Sequence, residues 1–240
     1  MIFSIKNIML GVLILLVAFI IIDSIRFYLL FRKGTKLASD AVPYERIMSD
    51  AKMKILVLGD STAVGTGTAN NIGSTAGRLA SVYPDASITN RAVNGLKLEG
   101  LLKLLAKSDE NEHFDIILVQ IGANDVIRMT SMDDIEKRAQ LVIEKLKNKT
   151  DRLIILHSGN IGDALIWPVY MRPIIKSSSY EIREVYKKLA SDLGVHYVDL
   201  IDAPSDKLLR DFPTTYYSAD FLHLNEAGYG LWFDEIKKAL

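Results

Sequence analysis

The sequence predicts an α/β domain built on a parallel sheet, preceded by one N-terminal membrane helix. From residue 53 onward, strand-like apolar runs alternate with helix-like stretches. This alternation is typical of a doubly wound sheet, in which sites lie at the carboxyl ends of the strands. The beginning of the chain differs, because residues 8–22 are apolar throughout and carry no charge. Such a run predicts a helix in a membrane.

The apolar run is too short to cross a bilayer alone, since about 20 residues are needed. A helix that continues from this run to Phe31 reaches that length, but it includes the charged residues Asp23 and Arg26. These two residues are three apart on one helical face, where their charges partly neutralise each other. The nearest small-residue cleavage site, at 39–41, lies too far downstream. We expect an uncleaved anchor in residues 1–36; a cleaved signal peptide is the alternative.

The charges beside the run leave the side of the membrane open. Lys6 precedes it, and a larger basic group follows: Arg26, Arg32, Lys33 and Lys36. The positive-inside rule would therefore place the domain in the cytoplasm. A short, basic N-terminus is also typical of exported, anchored enzymes. We predict a single-pass membrane protein of undetermined orientation.

The overall composition excludes several classes of function. The 29 basic and 29 acidic residues cancel, and no long basic run occurs, so a nucleic-acid partner is not expected. The chain has no cysteine, which excludes disulfides, thiolate catalysis and cysteine zinc sites.

Residues 37–52 are expected to form a linker and residues 53–240 one catalytic domain. The expected strands lie at 54–58, 87–93, 116–121, 153–157 and 195–198. Their apolar residues are consecutive, as in strands buried on both faces of a parallel sheet. One helical stripe over 135–146 follows a capping box at Ser131 and Asp134, and another over 182–193 ends at Gly194.

The first strand ends in Gly-Asp-Ser-Thr at 59–62. This loop lacks the glycine spacing and lysine of a P-loop and the third glycine of a dinucleotide-binding loop. It also misses the Gly-x-Ser-x-Gly elbow, because Ala63 takes the last position. The loop is therefore either a simple turn or a turn that exposes Ser61 as a nucleophile.

A serine nucleophile needs a base and a residue that orients the base. Of the four histidines, His113 follows a charged loop, and His157 and His196 lie in strand-like runs. His223 differs, because it follows the last strand-like run and Asp220 precedes it by three residues. In a turn, this spacing brings a carboxylate to one ring nitrogen and leaves the other free.

Acyl transfer also needs hydrogen-bond donors aimed at the developing oxyanion. Asn124 follows the strand at 116–121, and Gly95 follows the strand at 87–93. An amide side chain and a backbone N–H at these strand ends can point into one crevice. Each residue taken alone is equally explained as a turn residue, because asparagine and glycine are common in turns.

Together these blocks resemble the SGNH hydrolases, also called the GDSL esterase/lipase family. The first block is GDST with Ser61, and the second contains Gly95. The third contains Asn124, and the last contains Asp220 and His223. Thr62 stands where the family name has leucine, which affects no catalytic role.

The resemblance implies a flavodoxin-like three-layer α/β/α fold and ester hydrolysis without metal or cofactor. Ser61 would be the nucleophile, His223 the base and Asp220 its orienting carboxylate. The oxyanion hole would consist of Ser61, Gly95 and Asn124.

The expected function is a membrane-anchored serine esterase or lipase acting on a small-molecule or lipid ester. Two alternatives stay open: an O-acetyl transferase or deacetylase of envelope glycans, and a catalytically silent binding module. Residues 159–179 resemble an insertion whose Trp167, Tyr170 and Met171 would line an acyl pocket, cover it, or pack the domain edge.

Overall fold

The sheet of this protein has the predicted parallel architecture. The computed structural model describes residues 5–109 and 111–240. Its five strands pair in parallel in the order β2-β1-β3-β4-β5, with bounds β1 (Met53–Gly59), β2 (Ala86–Asn90), β3 (Phe114–Gln120), β4 (Thr150–Leu156) and β5 (His196–Tyr197). This is the flavodoxin-like order, in which the chain reverses its direction of winding between β1 and β3. The fold prediction is confirmed.

Helices cover both faces of the sheet. Their bounds are α1 (Ile5–Asp40), α2 (Ser61–Val64), α3 (Thr75–Val82), α4 (Leu98–Leu105), α5 (Ala123–Ile127), α6 (Met132–Leu146), α7 (Arg172–Leu193), α8 (Pro204–Asp211), α9 (Pro213–Tyr216) and α10 (Glu226–Ile236). Short 3-10 helices lie at Asn71–Gly73, Lys147–Lys149, Ile161–Asp163 and Lys237–Ala239. Buried residues of α4, α6 and α7 form one core layer, and those of α3, α8 and α10 form the other.

The predicted helix ends are observed where capping chemistry is present. The hydroxyl of Ser131 accepts a hydrogen bond from the N–H of Asp134 at the start of α6. Gly194 ends α7 in the left-handed conformation with φ 68°. The expected insertion at 159–179 is shorter than predicted, because α7 already begins at Arg172 with Pro173 in its first turn.

Helix α1 is about 54 Å long at 1.5 Å per residue. Its apolar side chains are exposed along the first part of the helix, and from Asp23 onward one face lies against the domain. The chain then follows the edge of β2, where Arg46 pairs with Ile88 in an isolated antiparallel bridge. The Arg46 guanidinium also donates to the carbonyls of Ala86 and Ala80.

Candidate active site

Ser61 stands at the carboxyl end of β1 because Gly59 permits a sharp turn there. Gly59 has φ 144°, and a Cβ atom on it would lie 1.9 Å from the Gln120 carbonyl oxygen of β3. Only glycine can hold the chain this close to the neighbouring strand. Asp60 then caps α2 by accepting hydrogen bonds from the N–H and the hydroxyl of Thr62, both at 2.9 Å. Ser61 is the first residue of α2.

Three predicted residues form one hydrogen-bonded chain. Nε2 of His223 lies 3.0 Å from Oγ of Ser61, and Nδ1 of His223 lies 2.6 Å from Oδ2 of Asp220. The other carboxylate oxygen of Asp220 accepts from the N–H groups of Leu222 and His223, both at 3.1 Å. These bonds hold the turn that presents the imidazole. The spacing of three residues between Asp220 and His223 therefore brings the carboxylate to one ring nitrogen.

Two buried carboxylates beside Ser61 have opposite electrostatic environments. Burial raises the pKa of Asp60 to about 6, despite the hydrogen bonds from Thr62. Burial also acts to raise the pKa of Asp220, but hydrogen bonds and charge from His223, with the Leu222 N–H, outweigh it and lower the pKa below its usual value. Asp220 therefore stays ionised at neutral pH and can stabilise a charged imidazole.

Gly95 and Asn124 line the same cavity as Ser61 and His223. Gly95 has φ 75° in the loop after β2, and Asn124 lies in α5 directly after β3. Within the described part of the chain, neither the Gly95 N–H nor the Asn124 side-chain amide donates to a protein acceptor. Ser61 and Asn124 flank the β1/β3 switch point, where ligands of open α/β sheets bind.

The cavity has a volume of about 520 Å³. The side of the cavity that holds Ser61, Asn124 and His223 is polar. The remainder is mostly apolar, with Ile161, Ile166, Trp167, Leu209 and Leu222 among the lining residues. A volume of this size is within the usual range for a small-molecule site. Trp167, one of the three residues expected from 159–179, is buried and lines the cavity, whereas Tyr170 is half exposed and does not line it.

Helix α1 supplies part of the cavity wall. Phe27, Phe31, Gly34, Thr35 and Ala38 all line it, and the ring of Phe27 stacks on Trp167 with centroids 6.0 Å apart. The four spacings from Phe27 to Ala38 place these residues on one helical face. Helix α1 therefore lines the cavity with some of its residues, in addition to carrying the long apolar run near its start.

The same helix touches the hydrogen-bonded chain and the Gly95 loop. A Cβ atom on Gly34 would lie 2.8 Å from Oδ2 of Asp220, so glycine is what allows the close approach. Further along, the Asn94 side chain donates to the Ala38 carbonyl at 2.8 Å and accepts from the Thr66 hydroxyl at 2.6 Å. Asn94 thereby connects α1 to the loop that carries Gly95.

The remaining histidines lie outside this arrangement, as the sequence indicated. His113 and His196 are exposed. His157 is buried, lies 3.0 Å from the Tyr197 hydroxyl through Nδ1, and has its pKa lowered by burial to about 4. It is a neutral core residue at neutral pH.

The model of the GDSL-like lipase/acylhydrolase family matches residues 57–231. The chain belongs to this family. The match spans the strands and loops that carry all five candidate residues. No curated protein sequence matches the chain significantly.

Solved structures similar to this GDSL-family chain have the same fold at low sequence identity. The acetylxylan esterase Axe2 from Geobacillus stearothermophilus is 18% identical, with 80% of this chain and 96% of that chain covered and a TM-score of 0.61. A lipolytic protein of the G-D-S-L family from Veillonella parvula is 18% identical, covering 78% and 98%, with a TM-score of 0.63. The α/β hydrolase LAE5 from the metagenome of Lake Arreo is 16% identical, covering 79% and 95%, with a TM-score of 0.60.

Sequence reasoning missed the contribution of α1 to the site. The sequence indicates Phe27, Phe31 and Gly34 only as part of an apolar anchor, and it indicates no role for Asn94. One signal was present, because Phe27, Phe31, Gly34 and Ala38 recur at helical spacing on the face that also carries Asp23. In an anchor helix, however, aromatic and small residues on one face do not indicate which surface they meet.

Proposed function

We propose that this GDSL-family chain is a membrane-anchored serine esterase that cleaves acyl esters through an acyl-enzyme. One observation carries the proposal: Ser61, His223 and Asp220 form a continuous hydrogen-bonded chain that opens into an apolar cavity. This is the arrangement that activates a serine hydroxyl in hydrolases of unrelated folds. Membership of a lipase/acylhydrolase family supports the same reaction.

In the proposed acylation step, Oγ of Ser61 attacks the ester carbonyl while Nε2 of His223 takes the hydroxyl proton. The buried Asp220 carboxylate, 2.6 Å from Nδ1, orients the ring and stabilises its cationic form. The carbon–oxygen bond to the alcohol then breaks, and His223 delivers its proton to the leaving oxygen. Water, activated by the same imidazole, releases the acid and restores Ser61.

The developing oxyanion is proposed to bind the N–H groups of Ser61 and Gly95 and the side-chain amide of Asn124. All three residues face the cavity, and the Gly95 and Asn124 donors have no protein acceptor among the described residues. Donors held in place before the reaction stabilise charge that develops in the transition state.

We further propose that residues 1–36 anchor the protein as a single-pass helix, that residues 37–52 link it to the domain, and that residues 53–240 carry the catalytic fold. Helix α1 is long and apolar enough to span a bilayer, a test that a signal sequence near an N-terminus also passes. Fractionation of the full chain distinguishes the two. Retention in membranes after an alkaline wash supports the anchor, and soluble protein trimmed between residues 25 and 41 supports a signal.

A second candidate function is removal of acetyl groups from a glycan, favoured by the likeness in fold to the acetylxylan esterase Axe2. The same residues would act on a smaller acyl group and a carbohydrate alcohol. The large apolar share of the cavity lining favours a longer acyl group. Comparing p-nitrophenyl esters of increasing acyl length with acetylated xylo-oligosaccharides separates the two candidates.

The proposed reaction is tested by labelling the full chain with a fluorophosphonate and locating the modified residue by mass spectrometry. Labelling of Ser61, lost in Ser61→Ala, supports the proposal. A protein that is not labelled and hydrolyses no ester would instead be a silent binding module of the same fold.

A further inference from the structure

The helix that carries the membrane-length apolar run also builds the wall of the cavity. Residues from Phe27 to Ala38 line the cavity, whereas 8–22 is the uncharged run. Because an α-helix is rigid over this distance, the position of the run determines the distance between cavity and bilayer.

The docked face of α1 begins at two charged residues. Oδ2 of Asp23 accepts from the Val169 N–H at 2.9 Å, and its other oxygen pairs with Arg26 at 2.9 Å. The Arg26 guanidinium also donates to the carbonyls of Leu165 and Trp167. Asp23 and Arg26 are the two charged residues directly after the apolar run, and both have hydrogen-bond partners in the domain. These contacts lower the free-energy cost of burying the two charges at a membrane surface.

Helix length places this docked segment at the membrane interface. The run 8–22 covers only about 22 Å, whereas the hydrocarbon core is about 30 Å thick, so a span that begins at residue 8 continues about five residues further. On the side away from the domain, the next apolar residues are exposed: Ile25 and Leu29. A span continued through this face brings Phe27 and Phe31 to the edge of the hydrocarbon.

The neighbouring surface of the domain is also apolar. Val169, whose N–H binds Asp23, is half exposed, as are Tyr170 and, in the first turn of α7, Ile174. Tyrosine beside aliphatic side chains is typical of surfaces that lie in the interfacial layer of a bilayer. The segment that stacks Trp167 on Phe27 is therefore the part of the domain closest to the apolar run.

We propose that the substrate is an ester of a membrane lipid, whose acyl chain passes from the bilayer along α1 into the cavity, against Phe27 and Phe31. This inference rests on the proposed esterase function and adds its substrate class. A lipid ester would reach Ser61 without leaving the membrane surface, because the cavity wall and the membrane span are one helix. The aromatic wall would select the acyl chain, and the strand-end residues would perform the chemistry.

The test uses the full chain reconstituted in phosphatidylcholine vesicles. Two substrates share one leaving group: p-nitrophenyl palmitate dissolved in the vesicles and p-nitrophenyl acetate in the water. We expect the wild-type protein to have the higher kcat/KM for the palmitate ester, since an apolar wall recognises added methylenes.

The matched variants are Phe31→Ala and Tyr28→Ala. Both aromatic residues lie on α1 and are 56% exposed, but only Phe31 lines the cavity. Phe31→Ala should lower kcat/KM for the palmitate ester about tenfold and change hydrolysis of the acetate ester less than about threefold. Tyr28→Ala should leave both rates unchanged. Phe27→Ala should repeat the Phe31→Ala result.

Four results would overturn the inference. Phe31→Ala could lower both rates equally, which indicates a structural role only. It could lower neither rate, which removes the wall from substrate recognition. Acetylated xylo-oligosaccharide or the acetate ester could be preferred over the vesicle-borne ester while a fluorophosphonate still labels Ser61, in which case the esterase proposal stands and the lipid substrate fails. Absence of both labelling and hydrolysis would reject the esterase proposal itself, and the lipid substrate with it.

Discussion

The two walls of the cavity are built by different means. The strand-end wall consists of loops that follow β1, β2 and β3, together with the turn before α10, and it carries Ser61, Asn124 and His223. The α1 wall is a single helical face that carries Phe27 and Phe31. Parallel strands hold the first wall in place, whereas packing and a few polar contacts such as Asn94 with Ala38 hold the second.

Under the proposed function, this difference separates the residues that act on the reacting atoms from those that contact the acyl group. Substitutions in the strand-end wall should change the turnover of every ester by a similar factor, because they act on the reacting atoms. Substitutions in the α1 wall should change the preference among acyl groups. Gly34 is the point at which the two walls meet, since it lies against the Asp220 carboxylate.

The largest effect is expected from Ser61→Ala. Removing the nucleophile should lower kcat by up to about 10⁶-fold for all esters, leaving the slow rate that oxyanion stabilisation alone provides. The hydroxyl is partly exposed and packs against little, so the melting temperature should change by no more than a few degrees. Steady-state kinetics and thermal unfolding measure the two quantities. Wild-type turnover in Ser61→Ala would falsify the nucleophile assignment.

Asn124→Ala should lower kcat about 10²–10³-fold while KM changes only a few-fold, because the lost donor acts chiefly in the transition state. The side chain makes no hydrogen bond to protein among the described residues, so the melting temperature should be nearly unchanged.

A turn residue would behave differently from an oxyanion donor at position 124. If Asn124→Ala unfolds at a clearly lower temperature while its folded fraction keeps wild-type specific activity, Asn124 has no part in the mechanism. Slower labelling by a fluorophosphonate is the additional expected result, since the phosphoryl oxygen uses the same donors.

Gly34→Ala tests the point of contact between the walls. The added methyl would lie 2.8 Å from Oδ2 of Asp220, which is itself held 2.6 Å from His223, so either the helix or the carboxylate must move. We expect kcat to fall about 10–100-fold for the acetate and palmitate esters alike, since misplacement of catalytic groups affects every substrate. This variant would thus behave as a strand-end substitution although it lies on α1.

The matched control for Gly34→Ala is Gly11→Ala on the same helix. A Cβ atom at position 11 has nothing within 4 Å, so its substitution should leave the kinetics unchanged and should not destabilise the helix. If Gly34→Ala equals this control in activity, then α1 does not approach the Asp220 carboxylate in the functional enzyme.

Apart from the Gly11→Ala control, the smallest change in turnover is expected from Asp60→Asn, which acts on stability. Burial raises the pKa of Asp60 to about 6, so the folded state binds a proton more tightly than the unfolded state. The Asp60 contribution to the free energy of unfolding therefore falls as pH rises from about 4 to about 6. At pH 7, Asp60→Asn should raise the free energy of unfolding by about 1–3 kcal/mol.

This gain should shrink to less than about 1 kcal/mol near pH 4, where Asp60 is protonated in the folded state and about half protonated in the unfolded state. Denaturant unfolding of wild type and variant at the two pH values measures the difference. An equal difference at both values would show that the effect comes from hydrogen bonding and not from the buried charge.

The sequence alone predicted the fold, and it also indicated the candidate residues at the strand ends. Consecutive apolar residues predict strands buried on both faces, and parallel strands bring their carboxyl ends to one edge of the sheet. Residues that directly follow strands, such as Ser61 and Asn124, therefore converge without further information. Asp220 and His223 were found because their pairing is local, within one turn.

Only the tertiary structure decided how α1 meets the domain. Phe27, Phe31 and Gly34 are ordinary residues for an apolar helix, and their contacts with Trp167 and Asp220 join positions far apart in the chain. Periodicity identifies a face of a helix but not the surface that covers it. The docking of α1 depends on the shape of the 165–169 segment and on Gly34, which lies against the Asp220 carboxylate. Both are properties of two surfaces in contact, and neither sequence segment shows them alone.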